Sequence, residues 1–321
     1  MRPKYRHRLP QLDGGLFLTD GGLETTLIFH DGWQLPMFES FVLIESARGR
    51  AALEAYFDRY LPLAQEHRTG FVLESPTWRA NPDWALKAGI GRDRLAAMNR
   101  DLIALMVGIR SRYETAAGPI VISGCVGPRG DGYDAGRPMG VDEAEAYHGW
   151  QIRILADTAA DLVSAITMTN VPEAIGIARA ARAADLPSVI SFTLETDGRL
   201  PAGDMLGEAI EAVDAATGGA PAYYMINCAH PMHFERVLAE GGAWTRRLAG
   251  LRANASRKSH AELDEATELD SGDPEELGRA YAAIRRRLPQ IRVLGGCCGT
   301  DHRHVAAIGA SCAHMGANAA A

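Results

Sequence analysis

Short runs of branched and aromatic apolar residues, mostly four to seven long, alternate along this chain with longer stretches whose apolar positions recur every three or four residues. The runs lie at 15–19, 70–74, 119–124, 161–166, 187–192, 222–228, 248–253 and 291–296, and their length and content predict buried β-strands. Between them, Leu53, Tyr56, Phe57, Tyr60, Leu61 and Ala64 make one helical stripe, and Leu102, Leu105, Met106 and Ile109 another. Each run is followed by a helical pattern. Eight strand-then-helix units in 321 residues predict an α/β fold, a single (β/α)8 TIM barrel spanning 1–321 as one domain. An open doubly wound sheet usually has roughly five to seven strands. No linker or low-complexity tract interrupts the pattern, and the terminal Ala317–Ala321 reads as frayed.

Composition narrows the class. Hydrophobic residues make up 47%, charged residues 23%, and the formal charge is −7. There is no basic excess to recruit nucleic acid or an anionic membrane surface. Residues 1–8 are basic, yet no signal-length apolar stretch follows, and no segment approaches the roughly 18–20 apolar residues of a membrane span. The expected location is the cytoplasm. Five cysteines, an odd number with one adjacent pair, fit a reducing compartment in which thiols serve metal binding or catalysis rather than a disulfide framework. Self-association into a homo-oligomer is left open.

The residues with distinctive chemistry fall at strand ends. Strand one ends in Asp20-Gly21-Gly22-Leu23-Glu24, strand two in Glu74-Ser75-Pro76-Thr77-Trp78, strand six in Asn227-Cys228, and strand eight in Gly295-Gly296-Cys297-Cys298. In a (β/α)8 barrel the strand ends meet on one face, so the thiols of Cys228, Cys297 and Cys298 can converge on one metal ion. Gly295, Gly296 and Gly299 would let the chain bend so that both neighbouring cysteines turn toward that ion. Cys125 and Cys312 read as buried small apolar residues. A redox-active Cys297/Cys298 pair is the competing use of the motif.

The combination of Leu18-Thr-Asp-Gly-Gly-Leu-Glu-Thr-Thr-Leu27, Ile226-Asn-Cys228 and Gly295-Gly-Cys-Cys-Gly-Thr300 resembles the homocysteine S-methyltransferase family. Gly127-Pro128, Ile190-Ser-Phe-Thr193 and Gly198-Arg-Leu200 match in order, so the resemblance covers nearly the whole chain. It implies a zinc-containing barrel that moves a methyl group from a sulfonium or quaternary ammonium donor, such as S-methylmethionine or betaine, to a thiol. Homocysteine is the default acceptor and methionine the product. Cys228, Cys297 and Cys298 would hold Zn2+ and leave a fourth position for that thiol, whose ordinary pKa is near 8.5 and which the metal would keep deprotonated. The resemblance further implies that Asp20, Gly21, Gly22 and Thr77 line the acceptor pocket, with Glu24 and Asn227 as the next contacts. Glu24 also reads as an acidic residue in a first helical turn, favoured by the macrodipole. The partners implied are two small molecules, and no cobalamin module is present.

Two departures from the family pattern point to altered contacts. A glutamate in a Phe-Glu-Thr stretch on strand four is thought to hold the acceptor's amino group, and Ile166, followed by Thr167, stands there in this chain. A different thiol acceptor is therefore the main variation. After strand seven, Asn254-Ala-Ser-Arg-Lys-Ser-His260 lacks the Gly-Glu of the family's Asn-Ser-Gly-Glu, and the acidic run 262–276 reads as a solvated surface or as a lid. Trp33 and Trp78 are candidates for an aromatic face toward a cationic donor. His230, His233, His302 and His304 lie just beyond the cysteines and read as surface or supporting residues. A hydrolytic Cys/His zinc site would need a carboxylate base near the metal, for which Glu74 is best placed. A non-catalytic zinc- or thiol-sensing barrel is the third reading. Arg129-Gly-Asp131 reads as coincidence.

Overall fold

Alternation along each strand decides which side chains enter the barrel and which meet the helices. The computed structural model describes residues 2–313. Its strands are β1 (Phe17–Leu18), β2 (Gly70–Glu74), β3 (Ile120–Val126), β4 (Leu162–Met168), β5 (Ser188–Thr193), β6 (Tyr223–Asn227), β7 (Leu248–Ala253) and β8 (Val293–Gly296). Each pairs in parallel with its chain neighbour, and β8 closes on β1 through Phe17 and Val293, giving a closed eight-stranded barrel. Phe17, Val72, Val121, Leu162, Val189, Met225 and Val293 share one buried cluster in the lumen. Their alternate neighbours Leu18, Phe71, Ile122, Val163, Ile190, Ile226 and Leu294 pack outward with the helices. Full burial of one such Leu or Ile contributes about 1.5–3 kcal/mol.

All eight predicted strands are present, with shifted ends. β1 is shortest because Gly15 and Leu16 precede the pairing, although Thr19 N–H still donates to the Leu294 carbonyl at 2.8 Å. The predicted stripe from Leu53 to Ala64 is divided between helices Ala47–Phe57 and Leu61–Glu66. Pro62 is the cause: it has no N–H and its ring crowds the carbonyl four residues back, so a new helix starts around it. The N-terminal arm seals the opposite mouth, where Leu9 joins the lumen cluster and Asp161 accepts the N–H groups of Lys4 and Tyr5, each at 2.7 Å. No helix among the described residues is long and apolar enough to cross a membrane. The expectation for 317–321 lies outside the described residues.

Two irregularities shape the functional face. The β4–β5 register shifts between Ala165 and Met168, and Thr167 within that bulge has φ of 67°. Cys228, one residue beyond β6, has φ of 52°. Left-handed backbone at a β-branched residue and at a cysteine costs of order 1–3 kcal/mol each and persists only where surroundings enforce it.

Candidate metal and substrate site

The three cysteines of the strand-end motifs meet. The Sγ atoms of Cys228, Cys297 and Cys298 all lie within 4.8 Å of one another. Cys228 and Cys298 are 3.8 Å apart sulfur to sulfur. The Cys228 and Cys297 sulfurs are also in contact, with their Cα atoms 5.4 Å apart, because the ends of β6 and β8 converge on one face of the barrel.

Hydrogen bonds from the barrel lumen hold this cluster. Asn227 Oδ1 accepts Thr167 N–H at 2.9 Å and Ser191 O–H at 2.6 Å, and its Nδ2 donates to Thr167 Oγ1 at 2.8 Å. The same Nδ2 lies 3.8 Å from Cys297 Sγ. Asn227 thereby ties together the two left-handed residues and one thiol. The Cys228 carbonyl accepts from His260 Nε2 at 2.7 Å, and Glu195 holds His260 Nδ1 at 3.0 Å. Tyr133 stacks on His260 with centroids 4.1 Å apart and donates its hydroxyl to Cys298 Sγ at 3.2 Å. Burial, then the Cys298 sulfur, raises the Tyr133 phenol well above its ordinary value, so it stays a donor. Burial likewise raises the Cys298 thiol, against the lowering effect of the Tyr133 hydrogen bond.

These sulfurs face a cavity of about 370 Å³, lined among others by Asp20, Gly21, Gly22, Glu24, Glu74, Ser75, Ile166 and Arg252. Leu263, Asp264, Ala266 and Leu269 form one wall, so part of the acidic 262–276 segment belongs to the site and not only to open surface. Gly22 is required by close approach: a Cβ there would stand 2.7 Å from the Cys297 carbonyl oxygen. Gly299 alone of the predicted bending glycines has positive φ, at 78°. Gly295 and Gly296 instead make room for Thr19 and Thr300, which a Cβ would overlap.

Several predicted contacts move. Thr77 does not line the cavity; it is fully buried and its hydroxyl donates to the Cys125 carbonyl at 2.6 Å, leaving Ser75 as the strand-two hydroxyl residue facing the space. Asn227 is also beneath the wall, its amide consumed by the bonds above, and so supports the site rather than lining it. Glu24 does line it and accepts from Ser40 at 2.6 Å, with burial raising its carboxyl. Trp33 lies off the cavity under Arg48. Trp78 lines it, but its face is taken by the guanidinium of Arg79, 4.1 Å from the ring centroid, while Trp84 flanks the same guanidinium at 3.7 Å. His230, His233 and His304 bond to backbone groups away from the sulfurs, and His302 is exposed.

Among the lining residues, Arg252, Tyr133 and Arg79 had no role assigned from the sequence. Arg252 is buried on β7, its NH2 2.8 Å from Asp20 Oδ1 and its NH1 3.9 Å from Glu74 Oε1. The signal was a charged residue at an inward position of an apolar run. Tyr133 and Arg79 carried weaker signals, the first hidden in the loop beside Arg129-Gly-Asp131. Asp131 itself lines the cavity, 3.9 Å from Arg79.

Glu74 is the costly member. Burial pushes its carboxyl up to about 7, against the pull of Arg252. A carboxyl raised on folding is penalised once it ionises, so the cost is absent below the unfolded value, grows between the two values, and is complete above 7. The stability of Glu74→Gln relative to the natural protein should therefore rise by about 2 kcal/mol between pH 5.5 and pH 8. Urea unfolding at the two pH values checks this; an equal difference at both would contradict it.

Residues 17–312 match the family model described as homocysteine S-methyltransferase. A curated relative, homocysteine S-methyltransferase 2 of Arabidopsis thaliana, is 22% identical over 326 residues, covering 92% of this chain and 92% of the relative. The solved homocysteine methyltransferase MmuM of Escherichia coli, in its metallated form, aligns over 95% of this chain and 98% of its own at 19% identity and a TM-score of 0.71. Its oxidized form gives a TM-score of 0.72 at 22% identity, over 94% and 97% of the two chains. At such identities the structural likeness speaks to the barrel.

Proposed function

Because this chain belongs to the homocysteine S-methyltransferase family, we propose that it methylates the sulfur of homocysteine, giving methionine, at a zinc ion held by Cys228, Cys297 and Cys298. The reading takes the whole chain, 1–321, as one catalytic domain acting in the cytoplasm, where thiols stay reduced.

The observation that carries this reading is the convergence of three thiols beside one cavity. The 3.8 Å between Cys228 and Cys298 sulfurs equals the edge of a tetrahedral site with Zn–S near 2.3 Å, about 3.8 Å. The thiols would bind as thiolates, so metal binding releases their protons. Zinc bound there supplies the Lewis acidity that keeps a substrate thiol deprotonated near neutral pH.

The chain's own groups do the rest. Asn227 and Tyr133 orient Cys297 and Cys298 from either side, and His260 fixes the Cys228 carbonyl. Phe29 and Phe38 at the rim give the cavity apolar cover that helps exclude water. A sulfonium or quaternary ammonium donor leaves as a neutral molecule, so no general acid is needed. The Arg79 guanidinium, buried and turned to the cavity, suits a donor that also bears a carboxylate, as S-methylmethionine and betaine do. Holding the two reactants in line contributes up to roughly 7–11 kcal/mol.

The side chains against the sulfurs are those of Tyr133, Thr167 and Asn227, while Glu24, Glu74 and Asp264 line the same cavity, so turnover is what separates methyl transfer from a hydrolytic use of the metal. The test is turnover by reduced, zinc-supplied protein with homocysteine and either S-methylmethionine or betaine, read as methionine formation by mass spectrometry. Saturable, zinc-dependent methionine formation is expected. Donor breakdown that does not need a thiol would overturn the reading, and transfer only to thiols without an amino group would move the acceptor to the alternative that Ile166 raises.

A further inference from the structure

We propose that the Glu74 carboxylate receives the ammonium group of the amino-acid acceptor, a task for which β4 presents no carboxylate to the cavity. The inference rests on the transferase reading and names a contact within it.

Ile166 lines the cavity as a buried hydrocarbon and cannot hold a cation. An amino acid entering with its sulfur toward the thiol cluster carries an ammonium that must be hydrogen-bonded wherever it loses water. Of the carboxylates at the strand ends, Asp20 is already filled: Oδ1 accepts from Thr19 and Arg252, each at 2.8 Å, and Oδ2 accepts from Tyr56 at 2.9 Å. Glu24 is half-buried and bonded to Ser40. Glu74 differs from both. It is 6% exposed, lines the cavity, and its Oε2 is buried with no hydrogen-bond partner.

Arg252 does not quench Glu74. Its nearest nitrogen is 3.9 Å from Oε1, beyond hydrogen-bond range, while its other donors go to Asp20 and to the Gly296 and Gly21 carbonyls. The Ser123 and Ser164 hydroxyls and the Arg252 charge ease the Glu74 carboxyl only in part, since Oε2 still has no partner at hydrogen-bond distance, and an ammonium with three N–H groups would supply one. The register supports a handover from β4 to β2. Glu74 is paired with Ser123, whose hydroxyl lies 2.8 Å from that of Ser164, two residues before Ile166. Hydroxyl groups thus span the interval between the hydrocarbon at Ile166 and the carboxylate at Glu74.

The test compares homocysteine with 4-mercaptobutanoate, the same thiol acid without its amino group, on the natural protein and on Glu74→Gln, reduced and with zinc added. Charge-assisted hydrogen bonds of this kind correspond to roughly 10- to 100-fold in affinity. Glu74→Gln should raise KM and the calorimetric Kd for homocysteine by that factor and change both by less than about threefold for 4-mercaptobutanoate, with zinc content unaltered. Equal losses for both thiols, or no loss for homocysteine, would overturn the proposal. If the natural protein binds both thiols but methylates neither, the transferase reading fails, and the two Kd ratios still decide the role of Glu74. Absence of binding by either thiol would overturn both.

Discussion

Replacing any one of Cys228, Cys297 or Cys298 with serine is expected to remove zinc and methyl transfer together. The three sulfurs converge within 4.8 Å, and each comes from a different backbone position: just past the end of β6, and two successive positions after β8. Loss of a mere supporting partner typically lowers metal affinity or activity by 10- to 100-fold, so loss of a direct ligand should cost roughly a hundredfold or more in both. Cys312→Ser is the internal control. That sulfur is buried in the outer core among the helices, outside the cluster, and its replacement should leave zinc stoichiometry unchanged. Metal content after dialysis and single-turnover transfer are the two readouts. Retention of full zinc by all three serine variants would remove the basis of the site.

The second large effect is expected at Arg252, and it is on stability. This guanidinium is 7% exposed and joins three barrel segments, through Asp20, through the Gly21 carbonyl and through the Gly296 carbonyl next to Cys297. Arg252→Met keeps much of the volume but leaves the Asp20 carboxylate buried without its cation. Breaking one side of a buried ion pair costs about 3–5 kcal/mol, far more than the pair gains over two neutral residues. Adding Asp20→Asn to Arg252→Met should restore part of the loss, because the stranded charge is gone. Urea unfolding of the single and double variants measures this. A single-variant loss below about 1 kcal/mol would show that Arg252 is not the tie assigned to it.

Much of this architecture could be read from the chain, and the reasons are physical. A strand buried on both faces reads as a nearly continuous apolar run, and the eight runs of that kind became the eight strands. The cysteines were legible because thiols at strand ends share one face of a barrel whatever their separation in sequence. Side-chain direction was less legible. Thr77 and Ser75 both follow β2, and only packing against Cys125 settles that the first turns away and the second faces the cavity. Arg252 sits in a run that otherwise reads as core, and its meaning depends on Asp20, 232 residues away, standing opposite. Tyr133 lies in an irregular loop with no periodicity, so its approach to Cys298 has no local signature. Trp78 shows the converse: an aromatic residue placed correctly at the cavity, whose face is already occupied by Arg79.

A metal held by Cys228, Cys297 and Cys298 should keep one place for the acceptor's sulfur. X-ray absorption at the zinc edge, on reduced and zinc-loaded protein before and after addition of homocysteine, measures it directly. Three sulfur ligands with one lighter atom, becoming four sulfurs on addition, is the expected result. Fewer than three sulfurs at the start, or a sulfur count that homocysteine leaves unchanged, would contradict it.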